Sequence, residues 1–382
     1  MIPFNKSYIT ESEINYMADV TSSGALSANG KYTKLCQRFF EEKYNIKKCF
    51  LTNSCTSALE MAAILLGIKD GDEVIMPSYT FVSTANAFIL RGAKIIFADS
   101  KVANPCIDED TIESLITSKT KAIVVVHYGG VACNMDKIME TALKHKLYVV
   151  EDAAQSIDGF YIGRENKKRA LGSIGHLGAL SFHDTKNITS GEGGMLMINS
   201  EEFISRAEII WEKGTNRSAF FRNEVEKYEW RDIGSSFSPS DLIAAFLFAQ
   251  LESIKSIQER RMEIWNLYNE NLSNLNLSDR ISLQTIPDYT TNNGHMFYII
   301  CSSLKERTEL ITYLKSKGIS AAFHYLSLHK SLYFNEKYSG AELPQSDKYS
   351  DKLLRLPFYY ELTNEQINKI TDSIGMFYNE QV

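Results

Sequence analysis

The sequence predicts an α/β fold with a mostly parallel sheet flanked by helices, followed by a smaller C-terminal α+β unit. Three observations carry that prediction. Short apolar runs alternate with helical patterns between about residues 50 and 200, the alternation that builds parallel sheets. A long charged helical stretch then occupies 250–275. Beyond it the order changes to strand, helix, strand and a final helix.

The strands come first. DEVIMP (72–77), KIIFADS (94–100), KAIVVVHYGG (121–130) and LYVVEDAAQ (147–155) are short, rich in β-branched or aromatic residues, and bounded by turn residues. They read as strands buried on both faces. Between them, SALEMAAILLGI (57–68), VSTANAFILRG (82–92), DEDTIESLI (108–116) and MDKIMETALKHK (135–146) place apolar residues at helical spacing. Past residue 250 the expected elements are a helix over 250–275, a strand in HMFYIICS (295–302), a helix in ERTELITYLKSKG (306–318), a strand in ISAAFHYLSL (319–328) and a helix over 364–378. The boundary is expected near residue 250, giving a large unit over 1–250 and a small one over 251–382.

Composition narrows the function. The 382 residues are 44% apolar and 23% charged, with a formal net charge of −6. An acidic balance without a basic run argues against a nucleic-acid partner. No apolar run has the length of a membrane span. The N-terminus MIPFNKSYITESE lacks the charged-then-apolar pattern of a secretory signal. Six cysteines are scattered without a CxxC pair, the pattern of free thiols in a reducing compartment and not of zinc or disulfides. A cytoplasmic protein without a metal is expected.

The stretch SFHDTKNITSGEGG (181–194) sets one lysine between an apolar run and a glycine-rich turn. A surface lysine needs no such setting, whereas a nucleophilic amine must be held still and partly desolvated. In open α/β sheets ligands bind beyond the carboxyl ends of the strands. Ser181, His183 and Lys186 follow one strand, Asp152 and Gln155 another, and Phe81 a third. TNSCTSALE (52–60) is a polar turn opening a helix, and free N–H groups at a helix start hold phosphate. Each piece alone is ordinary: a solvated lysine, a capping aspartate, a core phenylalanine, a hairpin turn in GEGG. Together they supply an amine, a carboxylate, a phosphate cradle and an aromatic face, the four things pyridoxal 5'-phosphate requires.

That order of motifs resembles the DegT/DnrJ/EryC1/StrS sugar aminotransferases, of the fold type I pyridoxal-phosphate class. The resemblance includes MIPFN, PSYTFVSTANAF (77–88), KGTNRSAFFR (213–222), WRDIGSS (230–236), FHYLSLH (323–329) and LLRLPFYY (353–360). The long matches look most like the subgroup that makes dTDP-4-amino-4,6-dideoxygalactose for enterobacterial common antigen. The resemblance implies that Lys186 bonds the cofactor aldehyde and moves the substrate proton. It implies that Asp152 pairs with the pyridine nitrogen, that Gln155 contacts the ring hydroxyl and that Phe81 stacks on the ring. Cys55 and Thr56, through backbone N–H groups, and Ser181, through its hydroxyl, would bind the phosphate. The implied substrates are L-glutamate and a nucleotide-linked keto sugar, and the implied assembly is a homodimer with its sites near the interface. Many members carry Asn where this chain has Ser238, and whether the shorter side chain replaces the Asn contact across the interface stays open.

FHYLSLH brings His324, Tyr325 and His329 near a strand end, and KGTNR brings Lys213 and Arg217. Arg217, His324 and Tyr325 are the expected groups for the sugar nucleotide, since a diphosphate suits an Arg fork or a histidine donor. The competing reading of HYLSLH is a half-buried strand with satisfied histidines. A nicotinamide dehydrogenase would want GxGxxG after the first strand, and TNSCTSALE has no glycine. Related deoxysugar dehydratases replace the lysine by histidine, so Lys186 points to amino transfer. A non-enzymatic sensor is excluded only by turnover, and the keto position (C4 or C3), the sugar stereochemistry and the nucleotide base stay open.

Overall fold

The structure is a computed structural model and describes residues 1–164 and 166–380. Its centre is a seven-stranded sheet. The strands are β1 (Lys48–Thr52), β2 (Glu73–Pro77), β3 (Lys94–Ala98), β4 (Thr120–Val126), β5 (Tyr148–Asp152), β8 (Leu177–Ser181) and β9 (Gly194–Ile198), with a two-stranded hairpin, β6 (Phe160–Ile162) and β7 (Lys168–Ala170), set apart from it. Their order across the sheet is β1-β9-β8-β5-β4-β2-β3. The pairs among β2, β3, β4, β5 and β8 are parallel, and only β9 runs against its neighbours, β1 and β8. The strands are nearly all buried: β2, β8 and β9 are inward along their whole length. That is why they read as continuous apolar runs, because helices cover both faces of a parallel sheet.

The helices expected between the strands are present as Cys55–Leu65, Val82–Ile89, Glu109–Ile112 and Met135–His145. Register then lines up the site. Thr52 pairs with Gly194, Gly194 with Ser181, and Asp152 with Ala179. One end of the sheet therefore carries the ends of β1, β5 and β8 side by side.

The C-terminal region forms a second, antiparallel sheet of four strands in the order β10 (Ser282–Leu283), β11 (Tyr298–Ile300), β13 (Leu353–Arg355), β12 (Ala322–Phe323). It has its own core, in which Ile264, Tyr268, Phe297, Leu310, Leu354 and Ile374 are buried together. The N-terminus joins that core, for Ile2 bridges to Ile319.

Two expectations are corrected. The stretch 250–275 is the end of one helix, Asp241–Glu252, and a second, Ile254–Asn274, meeting at Ser253. The first buries Ala244, Leu247 and Leu251 among Val20, Tyr32 and Phe40. The second turns Ile264, Trp265 and Tyr268 toward the C-terminal core. ISAAFHYLSL is likewise no strand throughout. Only Ala322–Phe323 pairs with β13, and the chain then leaves the sheet edge, taking His324 and Tyr325 with it.

Candidate active site

The loop 182–193 joins the antiparallel strands β8 and β9, so the glycine-rich segment is a hairpin connection, and that connection carries Lys186. Gly194 has a definite reason to be glycine. A Cβ there would lie 2.3 Å from the carbonyl carbon of Ser54 and 2.4 Å from the N of Cys55. The hairpin thereby presses directly on the start of the helix Cys55–Leu65. That helix is capped by Ser54, whose Oγ accepts from Ser57 N at 3.1 Å. The N–H groups of a helix's first turn have no helical partner, and here Cys55 and Thr56 open it at a cavity wall. Thr56 Oγ1 donates to Ser83 Oγ at 2.8 Å, tying the cradle to the first turn of the helix Val82–Ile89.

The cavity holds about 530 Å³, and its lining includes Cys55, Thr56, Phe81, Asp152, Gln155, Ser181 and Lys186. All the expected cofactor residues therefore converge on one space. Asp152, at the end of β5, is buried; its Oδ2 accepts from Thr84 Oγ1 at 2.7 Å and its Oδ1 from Ala154 N at 3.1 Å. Burial raises its pKa above the usual 3.8, and only partly do Thr84, Ala154 and Lys186 counter this. A buried carboxylate held up in this way calls for a cationic partner, and a protonated pyridine nitrogen is one. Lys186 is half-buried, and desolvation lowers its pKa from 10.5. Cys55 and Asp152 oppose that shift, and Arg355 adds to it. Phe81 is 52% exposed, so it is no core residue, and it lines the cavity. Gln155 Oε1 accepts from Gly129 N at 2.6 Å, and its Nε2 donates to Tyr325 OH at 3.2 Å. This donor set fits pyridoxal 5'-phosphate, with a phosphate cradle, a carboxylate, a ring face and an amine around a single space.

The substrate candidates divide. His324 and Tyr325 line the cavity. His324 Nδ1 lies 3.0 Å from Tyr128 OH, and burial drives the pKa of His324 well below 6.5, so the ring is neutral. Arg217 is elsewhere: it opens the short helix Arg217–Phe221, 3.6 Å from Glu212, with its guanidinium over the Phe221 ring. His329 is a satisfied structural histidine, its Nδ1 2.8 Å from Ser78 Oγ. Of the competing reading of HYLSLH, the satisfied histidine fits His329, which lies in the short helical turn Leu328–Lys330 and not in a strand, while the cavity reading fits His324 and Tyr325.

Among the wall residues to which the sequence reading assigned no site role are Phe4, Asn5, His295 and Arg355. Asn5 donates to the carbonyl of Asp184 at 3.3 Å, fastening the lysine loop. His295 belongs to a buried network whose proton positions can be worked out. Gln258 Nε2 donates to the carbonyl of Asn293 at 3.1 Å, which turns Gln258 Oε1 toward Asn187. Asn187 Nδ2 donates to that Oε1 and to the same carbonyl, at 2.8 and 2.9 Å. Asn187 Oδ1 is therefore the acceptor for His295 Nδ1, 2.7 Å away. With burial holding its pKa well below 6.5, His295 carries its one proton on Nδ1 and has a bare Nε2. The residue next to Lys186 is thus locked to the helix Ile254–Asn274 and to His295. MIPFN and LLRLPFYY were visible as matches, but neither spacing nor periodicity announces that Asn5 or Arg355 faces a ligand.

The family model described as the DegT/DnrJ/EryC1/StrS aminotransferase family matches residues 7–375. The chain belongs to this family. It is 32% identical over 390 residues to the spore coat polysaccharide biosynthesis protein SpsC of Bacillus subtilis, covering 98% of this chain and 96% of that one. It is 31% identical over 381 residues to the GDP-perosamine synthase of Escherichia coli O157:H7, covering 100% and 99%. Among solved structures it is similar to Spr1654 of Streptococcus pneumoniae in its PMP form, with a TM-score of 0.91, 25% identity and full coverage of both chains. The PLP form of the same protein gives a TM-score of 0.90. The aminotransferase family accounts for the architecture of the large sheet, with Lys186 on its hairpin.

Proposed function

We propose that this aminotransferase uses pyridoxal 5'-phosphate to move an amino group from L-glutamate to a nucleotide-linked 4-keto-6-deoxy sugar. The acceptor would be dTDP-4-oxo-6-deoxy-D-glucose and the product dTDP-4-amino-4,6-dideoxy-D-galactose, a precursor of surface polysaccharide such as enterobacterial common antigen or O-antigen. The observation that carries the reading is the convergence of Lys186 and Asp152 with the Cys55–Thr56 helix start in one cavity. When bound, the cofactor supplies an electron sink for the carbon that loses its proton. The residues do the rest. The helix start and the Ser181 hydroxyl would take the phosphate, and Asp152 would hold charge for the ring nitrogen. Gln155 would contact the ring, and Phe81 would offer it an aromatic face. Lys186, whose amine desolvation favours in the neutral form, takes a proton from the donor carbon and returns it to the acceptor carbon. His324 and Tyr325 would meet the sugar nucleotide.

A homodimer fits this reading. Trp230 is 84% and Phe221 67% exposed on the segment 217–233, an apolar display that a second copy would cover. Arg217 lies on that segment, outside its own chain's cavity, so its substrate role is proposed through the neighbouring copy. The dimer, like a cytoplasmic location, belongs to the proposal.

A second reading differs in the nucleotide and in the sugar it carries. The likeness to a GDP-perosamine synthase favours a GDP-linked keto sugar. One experiment tests both. The purified protein should be yellow, lose that colour with glutamate, and regain it with the accepting keto sugar. Chromatography with dTDP- and GDP-linked 4-keto-6-deoxy sugars then identifies the base. A protein that binds the cofactor but never loses colour with glutamate would be a binder and not a transaminase.

A further inference from the structure

A line of hydroxyls runs from the buried interior to His324. Tyr79 follows β2 and Tyr128 follows β4, so two strand ends of the large sheet place their rings. Both are buried, with ring centroids 5.4 Å apart. Tyr128 OH lies 3.0 Å from His324 Nδ1. The Tyr79 hydroxyl has no hydrogen-bond partner of its own. Burial, and after it the Tyr128 hydroxyl that it faces, raise its pKa well above 10.0. His324 is neutral, and a neutral imidazole carries one proton, on one nitrogen or the other. The line of hydroxyls decides which. If His324 Nδ1–H donated to Tyr128, the Tyr128 proton would turn to Tyr79. The Tyr79 proton would then be left buried with nothing to receive it, which is costly. In the opposite direction Tyr79 turns its O–H to Tyr128, Tyr128 donates to His324 Nδ1, and each of these protons has an acceptor. The proton of His324 is then on Nε2. Its bond to Tyr128 is the one hydrogen bond that His324 makes among the described residues, and His324 lines the cavity, so Nε2–H is free for a ligand.

We propose that Tyr128 is a positioning residue for the acceptor half-reaction: by donating to His324 Nδ1 it fixes His324 Nε2–H as a hydrogen-bond donor to an oxygen of the nucleotide-linked keto sugar. The inference rests on the reading that brings the sugar nucleotide to His324. Such a substrate carries oxygens that only accept, on its diphosphate and at its keto group. A fixed donor holds one of them, whereas a bare nitrogen lone pair would repel it. His295 has the opposite polarity, with its proton on Nδ1 toward Asn187 Oδ1 and a bare Nε2. The wall therefore sets one donor imidazole beside one acceptor imidazole. Without the Tyr128 hydroxyl, His324 could exchange its tautomer, and both rings would then offer lone pairs to the same cavity.

The test uses the cofactor-loaded protein carrying ¹⁵N-labelled histidine, with His324→Gln to identify the His324 signal by nuclear magnetic resonance. Wild type should show the proton of His324 on Nε2. Tyr128→Phe keeps the ring and deletes the hydroxyl, so the His324 signal should shift toward a mixture of tautomers while that of His295 stays. The KM for the sugar nucleotide should rise about two- to twelvefold, the loss of one neutral hydrogen bond, and the glutamate half-reaction should stay near wild type. Calorimetry with the nucleoside diphosphate alone then separates the two oxygens. Weaker binding in Tyr128→Phe assigns Nε2–H to the diphosphate, and unchanged binding beside a raised KM assigns it to the keto sugar. Tyr79→Phe should leave the tautomer as it is, because Tyr128 still donates. A proton on Nδ1 of His324 in wild type would overturn the proposal, as would a tautomer change in Tyr79→Phe, which means that the line runs the other way. Equal losses in both half-reactions, or an unchanged sugar-nucleotide KM, would also overturn it. If wild type binds the sugar nucleotide but transfers no amine, the aminotransferase reading fails, while calorimetric affinity for that ligand in Tyr128→Phe still decides the role of Tyr128.

Discussion

Two walls face each other across the cavity, and they are built by different means. One belongs to the seven-stranded sheet: Asp152 and Ser181 end strands, Cys55 and Thr56 open a helix, and Lys186 rides the hairpin between β8 and β9. The other comes largely from the C-terminal part: His295 precedes β11, His324 and Tyr325 follow β12, and Arg355 ends β13. In the first wall each group is placed by the backbone element it terminates. In the second, placement depends on where loops run after they leave a small antiparallel sheet. The first wall should therefore serve both half-reactions alike, and the second should tell one substrate from another.

The largest effect belongs to the first wall. Lys186→Ala removes the amine that moves the proton, and proton transfer by a placed side chain is worth up to about 10⁴-fold in rate. Loss of that order in both half-reactions is expected, with the fold intact by circular dichroism. A loss below about tenfold, roughly 1.4 kcal/mol of barrier, would move the chemistry elsewhere. The same residue makes a prediction about pH. Desolvation lowers its pKa from 10.5, so the neutral, nucleophilic amine persists at lower pH than for an ordinary lysine. The rate at which cofactor-free protein takes up pyridoxal 5'-phosphate should rise with pH to a midpoint below 10.5. A midpoint at or above that value would mean that Lys186 is solvated.

Asp152→Asn comes next. Leaving one partner of a buried charge pair alone costs about 3–5 kcal/mol, or about 10²- to 10⁴-fold if it falls on the barrier. The colour of the bound cofactor should remain while turnover falls in both half-reactions. Normal turnover would reduce Asp152 to a cap for the Thr84 and Ala154 donors.

How much was legible follows from the same contrast. LYVVEDAAQ could be read because a strand end places Asp152, and SFHDTK because the strand ending at Ser181 is followed at once by the turn that carries Lys186; a strand end is written in a short apolar run followed by polar residues. The helix start at TNSCTSALE was readable for the same reason. Arg355 and His295 were not, because nothing in LLRLPFYY or HMFYIICS says which side of a four-stranded antiparallel sheet faces the cavity. ISAAFHYLSL misled because its β-rich composition says strand, while the structure pairs only Ala322 and Phe323 with β13, bridges Ile319 to Ile2, and then carries His324 and Tyr325 to the cavity. The break at Ser253 was hidden because no glycine or proline marks it, and Ile254 and Ile257 beyond it pack in the same core as Leu247 and Leu251 before it.

Gly194→Ala tests whether the first wall is as tightly set as its register suggests. The new methyl would meet backbone atoms of Ser54 and Cys55 at 2.3–2.4 Å, and backbone cannot swing aside as a flexible side chain can. Overpacking of this kind costs about 1–3 kcal/mol, to be measured by denaturant unfolding. Pyridoxal 5'-phosphate affinity should fall further than stability alone explains, because the methyl pushes on the phosphate cradle. Unchanged affinity would show that the helix start is not where the phosphate sits.

The smallest effect asks whether the walls act together. The 3.2 Å hydrogen bond from Gln155 Nε2 to Tyr325 OH joins them directly. Tyr325→Phe deletes the acceptor and keeps the ring, so packing against Phe81, with centroids 5.9 Å apart, survives. Gln155 does not come loose, because its Oε1 still accepts from Gly129 N at 2.6 Å. The loss should then be that of one neutral hydrogen bond, about 0.5–1.5 kcal/mol, or about two- to twelvefold in kcat/KM. Since Gln155 is proposed to contact the cofactor ring, the change should appear in both half-reactions and as a small shift of the cofactor absorbance. A fall confined to the sugar half-reaction would mean that the hydroxyl touches the sugar nucleotide and not the ring's support. A fall beyond about 10²-fold would exceed what one neutral hydrogen bond contributes and would place Tyr325 OH among the groups acting on the reacting atoms.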